Sequence, residues 1–164
     1  VNNQEPITFT KVRFPWGWLS NMSPHPIEYR DERWPTAEHL FQALRFAPNV
    51  DYGIRVRDEI RQTKSPMAAK MVAQRNHGFM CIIRCGKDDL VNMRRVLRAK
   101  IEQHLGLRAE LLSSGDRVII EDVSARASRG SAMFWGAART LKGWEGENRL
   151  GRMWMDLRDE IRLE

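Results

Sequence analysis

One stretch, Trp34-Pro35-Thr36-Ala37-Glu38-His39-Leu40-Phe41-Gln42-Ala43, constrains this chain more than any other. Thr36 can cap a helix by accepting a hydrogen bond from an unpaired backbone N–H. Glu38 then falls in the first turn, near the positive end of the helix dipole. Glu38, Gln42 and Arg45 follow at i, i+4 and i+7 and share a face. Leu40, Phe41 and Leu44 fall on another face. A polar row on a helix so rich in large apolar residues predicts a lined pocket. Taken alone, a glutamate in the first helical turn is ordinary stabilisation, so the spacing by itself assigns no chemistry.

Helical periods dominate after this point. The first helix is expected over 36–46. A second is expected over 52–62, with Tyr52, Val56 and Ile60 spaced by four. Ser65 can cap a third, with Pro66 at its favoured first position and Met67, Met71 and Val72 as its apolar edge. Leu90, Met93, Leu97 and Ile101 mark a longer helix from about Asp88 to His104, and Leu107–Leu112 extend the helical run. The last helix starts near Asn148, with Leu150, Trp154, Leu157 and Ile161 as its stripe. Before Trp34 the chain reads as short strands and turns, broken by Pro15, Gly17, Pro24 and Pro26. Ile27–Tyr29 and Glu32–Trp34 are spaced to close a small hairpin. Val118-Ile119-Ile120 is a short strand or a buried linker. The expected fold is mainly α, with short N-terminal strands, as one domain over 1–164.

Length and charge set the bounds. The chain's 164 residues suit a single core without staples. No apolar run approaches the roughly 20 residues of a membrane helix. The opening VNNQEPITFT lacks a basic head and an apolar stretch, so no signal peptide and a cytoplasmic location are expected. A net charge of +6 permits attraction to phosphates on a nucleotide or a nucleic acid. Cys81 and Cys85 are two ligands short of a structural zinc site and are read as small core residues.

Six tryptophans are many for this length. Trp154 lies on an apolar helical stripe and belongs to the core. Trp16, Trp18 and Trp34 flank turns, and Trp144 lies in a glycine-rich loop. Aromatic side chains in loops can stack on a nucleobase, and they are equally good core fillers. Asn148 is placed to cap the last helix.

These segments together resemble the NADAR, or YbiA-like, family. Trp34–Phe46 reads WPTAEHLFQALRF against the family's W-P-T-S-E-H-Y-F-Q-A-x-K-F. Ser65-Pro66-Met67-Ala68-Ala69 follows at the family's distance. Leu97-Arg98-Ala99-Lys100-Ile101-Glu102-Gln103-His104 is close to its L-R-A-K-F-E-Q-H. Trp135-Gly136, Gly146-Glu147-Asn148-Arg149-Leu150-Gly151 and Met155-Asp156-Leu157-Arg158 complete the series, and Trp18-Leu19-Ser20-Asn21-Met22 is similar to the family's F-x-S-N-F.

The resemblance implies an N-glycosidase that hydrolyses the bond between ribose C1 and the exocyclic amine of a guanine-like ring. Glu38 is the implied catalytic carboxylate. Trp18, Ser20, Asn21, Trp34, His39, Gln42, Lys100, Trp135, Gly136, Gly146 and Asn148 are the implied substrate-binding residues. Trp135 is the aromatic expected to stack on the base. Lys100, ahead of Lys64, Lys70 and Arg75, is the expected phosphate contact. No metal or redox cofactor and no membrane partner are implied. One branch of the family acts on ribosylamino-pyrimidine phosphates of riboflavin synthesis, and another removes ADP-ribose from guanine in DNA. Two departures turn the expectation towards the second. Ala132 stands where the riboflavin branch has an acid, and Arg84–Asp89 lacks that branch's tryptophan. Asp88, Asp89 and Asp122 are possible replacements for the acid. The expected partner is a ribosylated nucleobase or ADP-ribosylated DNA, held in part by basic residues. A module that binds ADP-ribose without cleaving it is the alternative.

Overall fold

The computed structural model describes residues 4–164. Val1–Asn3, the start of the stretch read as lacking a leader, lie outside the described residues. The strands are β1 (Ile7–Phe9), β2 (Ile27–Tyr29), β3 (Glu32–Trp34), β4 (Ile119–Glu121), β5 (Ala138–Thr140) and β6 (Gly143–Glu145). The helices are α1 (Ala37–Ala43), α2 (Asp51–Gln62), α3 (Pro66–Arg75) and α4 (Lys87–Gln103), then α5 (Leu105–Ser113), α6 (Ala132–Trp135) and α7 (Arg149–Leu163). The chain is mainly α, as expected. Beyond the N-terminal strands it has three further ones after residue 118. Two units are resolved, one of Asn21–His104 and one of the chain up to Ser20 with Leu105–Glu164.

In the Asn21–His104 unit, β2 and β3 form the expected antiparallel hairpin, with Glu28 opposite Arg33. Arg30 and Asp31 turn it with φ of 50° and 64°, the left-handed pair that matches strand twist. Thr36 caps α1 by accepting from the His39 N–H at 3.3 Å. Every residue of α1 is buried, and it packs against α2, α3 and α4. Ser65 caps α3 as expected, accepting from the Ala68 N–H at 3.1 Å.

The expected apolar edge of α3 is corrected. Met67 and Met71 are exposed, Met71 at 64%, while Ala69, Val72 and Ala73 are buried. Alanines let α3 approach α1 and α2 closely, so small residues select the inner face. Cys81 and Cys85 are not core residues either. Cys81 is exposed and Cys85 half-buried, because both lie in the irregular segment between α3 and α4.

In the other unit, β1 and β4 pair in parallel, Ile7 opposite Ile119. The stripe Leu150, Trp154, Leu157 and Ile161 of α7 is buried, and α7 packs on β4, α5 and α6. Trp154 donates its indole N–H to the Leu19 carbonyl at 3.0 Å, and Trp18 meets its ring edge-on at 5.5 Å. Trp144, read as a loop residue, lies in β6 and pairs with Arg139 of β5. No described helix is long and apolar enough to cross a membrane.

Candidate active site

The expected site residues divide between the two units. In the Asn21–His104 unit, the row read from the first helix is a buried hydrogen-bonded chain. Gln42 Nε2 donates to Glu38 Oε1 at 2.7 Å. Arg45 Nη1 donates to Gln42 Oε1 at 2.9 Å. That contact turns the Gln42 amide so that its NH₂ faces the carboxylate. Arg45 Nε and Nη2 donate to Asp89 Oδ1 and Oδ2 at 2.8 Å each, in a bidentate pair. Asp89 Oδ2 also accepts from the Cys85 N–H at 2.8 Å. Glu38 is thus oriented by a side chain that is itself anchored through a buried ion pair on α4.

Sequence reasoning placed Arg45 on the Glu38 face without giving it a role, and it offered Asp89 as a replacement acid. Asp89 is instead the anchor of Arg45, its oxygens committed to three donors. Asp88 is exposed. Asp122, in the other unit, is turned onto the Ser124 N–H at 2.9 Å.

Asn21 lies beside the start of α1. Its carbonyl accepts the Glu38 N–H at 3.0 Å, and its amide reaches Met93 Sδ at 3.2 Å. Asn21 Oδ1 is buried with no hydrogen-bond partner among the described residues. A buried acceptor of this kind marks a place for a donor from outside the chain.

His39 is held at both ring nitrogens. The Thr36 hydroxyl accepts from the His39 N–H, so it donates to Nδ1, 2.8 Å away. The Thr63 hydroxyl donates to the Ile60 carbonyl and therefore accepts from Nε2–H at 3.0 Å. This is the neutral Nε2–H tautomer, and burial lowers the pKa of the ring, as the assignment requires. His39 fastens α1 to the turn after α2. Trp34 is also enclosed, with the Arg57 guanidinium 5.7 Å from its ring centre.

Lys100 is completely buried, and its ammonium donates to Ser23 Oγ at 2.7 Å. Burial lowers its pKa from 10.5 to about 7. The amine expected to contact phosphate is thus enclosed rather than solvated. Ser23 was not singled out from sequence, although it directly follows the Ser20-Asn21-Met22 match.

In the other unit, Gly136, Gly146 and Asn148 come together. The Asn148 N–H donates to the Gly136 carbonyl at 3.0 Å. A Cβ on Gly146, at φ 135°, would stand 2.5 Å from that same carbonyl oxygen. Asn148 occupies the N-cap position of α7, but its side chain caps nothing. Its Nδ2 donates to the Ile119 carbonyl at 2.8 Å, and its Oδ1 accepts from the Glu121 N–H at 3.1 Å. The cap expected from the sequence is therefore a clasp on β4. Trp135 is half-buried, edge-on to Phe134 at 4.9 Å. Trp18 and Ser20 are buried, and Ala132 is 3% exposed at the start of α6.

Comparison with known proteins identifies the family. The NADAR domain profile matches residues 8–162. N-glycosidase YbiA of Escherichia coli K12 is 35% identical over 159 residues, covering 96% of this chain and 89% of that protein. The maize riboflavin biosynthesis protein PYRR, chloroplastic, is 36% identical over 166 residues, covering 94% of this chain and 25% of that protein. The NMR structure of E. coli YbiA superposes with a TM-score of 0.75 at 31% identity, covering 98% of this chain and 88% of that one. The class so defined is that of N-glycosidases, hydrolases of N-glycosyl bonds. Within it, this chain belongs to the NADAR family.

Proposed function

We propose that the chain hydrolyses the bond between ribose C1 and the exocyclic amine of a guanine-like base, and that its preferred substrate is ADP-ribosylated guanine in DNA. The observation that carries the reaction is the Glu38–Gln42–Arg45–Asp89 chain. Breaking the C1–N bond builds positive charge on the ribose. A carboxylate with a fixed orientation stabilises that charge or takes a proton from the attacking water. Lys100, on the helix packed against α1, supplies a second group. An amine with a pKa near 7 is neutral in good part at physiological pH. It can accept a proton at this pH, as a solvated, charged lysine cannot. Asn21 Oδ1 suits a donor from the base or the ribose.

The choice of ADP-ribosylated DNA rests on Ala132 and on the net charge of +6. A DNA substrate brings the exposed basic residues into play as phosphate contacts, and it fits a cytoplasmic setting. The ribosylamino-pyrimidine phosphate is a second reading, favoured by the riboflavin-related name of the maize relative. Both are tested together, with an ADP-ribosylated guanine oligonucleotide and the pyrimidine phosphate offered in turn. Glu38→Gln is nearly isosteric and keeps an acceptor for Gln42. It is expected to lower kcat by roughly 10²–10⁴-fold with binding retained, the range of one acid–base group. Undiminished hydrolysis by Glu38→Gln would refute the catalytic assignment. Faster turnover of the pyrimidine phosphate would replace the substrate assignment and leave the reaction standing.

A further inference from the structure

Ser23 does more than receive the Lys100 ammonium. Its Oγ lies 2.7 Å from Lys100 Nζ and 3.0 Å from His25 Nδ1. Lys100 and Ser23 are both fully buried, whereas His25 is only half-buried. No hydrogen bond from a described residue occupies His25 Nε2, the nitrogen at the other end of this part-exposed ring. The three groups form an unbroken line from an enclosed amine to the protein surface.

The line is held rigidly. The His25 N–H donates to the Ser23 carbonyl at 2.8 Å, closing a tight turn that folds His25 back over Ser23. Pro24 fixes the middle of that turn, and Pro26 restricts the backbone of His25. His104, at the end of α4, donates Nε2–H to the Pro26 carbonyl at 2.7 Å and meets the His25 ring edge-on at 5.2 Å.

We propose that Ser23 and His25 form a proton relay that carries protons between the buried amine of Lys100 and solvent. The proposal rests on the reading that Lys100 takes part in hydrolysis. A charged ammonium is a donor only, so Ser23 accepts from it and directs its own hydroxyl hydrogen to His25 Nδ1. In one transfer Lys100 passes a proton to Ser23 Oγ while Ser23 passes its own to Nδ1. Lys100 becomes neutral, Ser23 is unchanged, and His25 becomes an imidazolium that sheds the Nε2 proton to water. This direction discharges Lys100 after it has accepted a proton in a turnover, and the reverse sequence recharges it.

The electrostatics suit the task. Burial lowers the pKa of His25, and the Lys100 and His104 charges lower it further. The proton therefore leaves His25 readily once it arrives. Elements packed on α4 carry Glu38 and His39 on α1 and Glu28 and Tyr29 on β2, and none of these offsets the burial that holds Lys100 near neutrality. Ser23 and His25 are thus positioning residues, acting through Lys100.

The test compares His25→Ala, Ser23→Ala and Lys100→Met with the parent on whichever of the two substrates it turns over faster. Loss of the relay is expected to lower kcat about tenfold with KM unchanged, less than loss of a group at the reacting atoms. Added imidazole is expected to restore His25→Ala and to leave Ser23→Ala impaired. An unchanged kcat in His25→Ala, or a loss that imidazole does not relieve, overturns the relay. Full activity in Lys100→Met overturns the underlying reading as well. Lys100→Met inactive beside His25→Ala fully active sinks the relay alone. A second measurement needs no substrate. Removing the Lys100 charge is expected to raise the His25 pKa, followed by NMR of the imidazole nitrogens. An unmoved His25 titration shows that the two groups are uncoupled and rejects the proposal.

Discussion

At the scale of single residues, Lys100 ties stability to pH. Its pKa in the folded chain, about 7, lies below the ordinary 10.5 because burial penalises the charge. Between those values the folded chain binds fewer protons than the unfolded one, so this group makes stability rise with pH across that window. Below about pH 7 the full cost of enclosing the charge is present, and above about pH 10.5 it is gone. Lys100→Met removes the charge and keeps most of the volume. It is expected to be more stable than the parent by on the order of a few kcal/mol at pH 6. The advantage should shrink steadily towards pH 10. Urea midpoints at several pH values measure it, and a difference independent of pH would mean that the amine is not enclosed. The same residue shows where sequence reading stops. An L-R-A-K pattern on a helix marks Lys100 as noteworthy, but phosphate contact and buried amine look alike until its surroundings are known.

At the scale of elements, helices were legible and strand pairing was not. Periodicity and caps are local signals, so α1 to α4 and α7 lie close to their expected bounds, and Thr36 and Ser65 cap as read. β1 and β4 are separated by more than a hundred residues, and three-residue strands carry no local pattern that names a partner. Asn148 was misjudged for the same reason. Its residue type suits a cap, but β4 stands beside it and takes both ends of the amide. Asn148→Ala would leave the Ile119 carbonyl and the Glu121 N–H without this partner. Each orphaned buried group costs about 1–3 kcal/mol, so a loss of roughly 2–4 kcal/mol is expected in thermal or denaturant unfolding. Thr36→Ala, which removes one cap bond and the hydroxyl on His39 Nδ1, is expected to cost about 1–2 kcal/mol. If Asn148→Ala unfolds like the parent, the clasp contributes nothing and the residue is retained for another purpose.

At the scale of the whole molecule, the ordered family blocks made the reaction class legible, whereas the substrate is a matter of charge distribution. The net +6 is spread over many arginines, and several are already paired. Arg126 donates to Glu121 at 2.7 Å and Arg75 to Glu59 at 2.5 Å, so the count of basic residues overstates the unopposed positive charge. The Arg75–Glu59 pair is exposed, and such pairs are worth only about 0–1 kcal/mol, so a phosphate can compete for that guanidinium. Arg129, Lys64 and Lys70 are exposed as well. A DNA substrate that engages a few of these groups must displace counterions, and each phosphate neutralised adds roughly 0.7–0.9 to the slope of log affinity against log salt. A small pyrimidine phosphate offers one such group at most. With an ADP-ribosylated guanine oligonucleotide, kcat/KM is therefore expected to fall with a log–log slope of about −2 or steeper between low and physiological salt. With the pyrimidine phosphate the slope should stay near −1 or shallower. Lengthening the oligonucleotide on either side of the modified guanine should steepen the first slope until the basic residues are all engaged. Equal slopes for the two substrates, or no change with oligonucleotide length, would mean that recognition ends at the ribosylated base and that the positive charge of this chain has no part in choosing DNA.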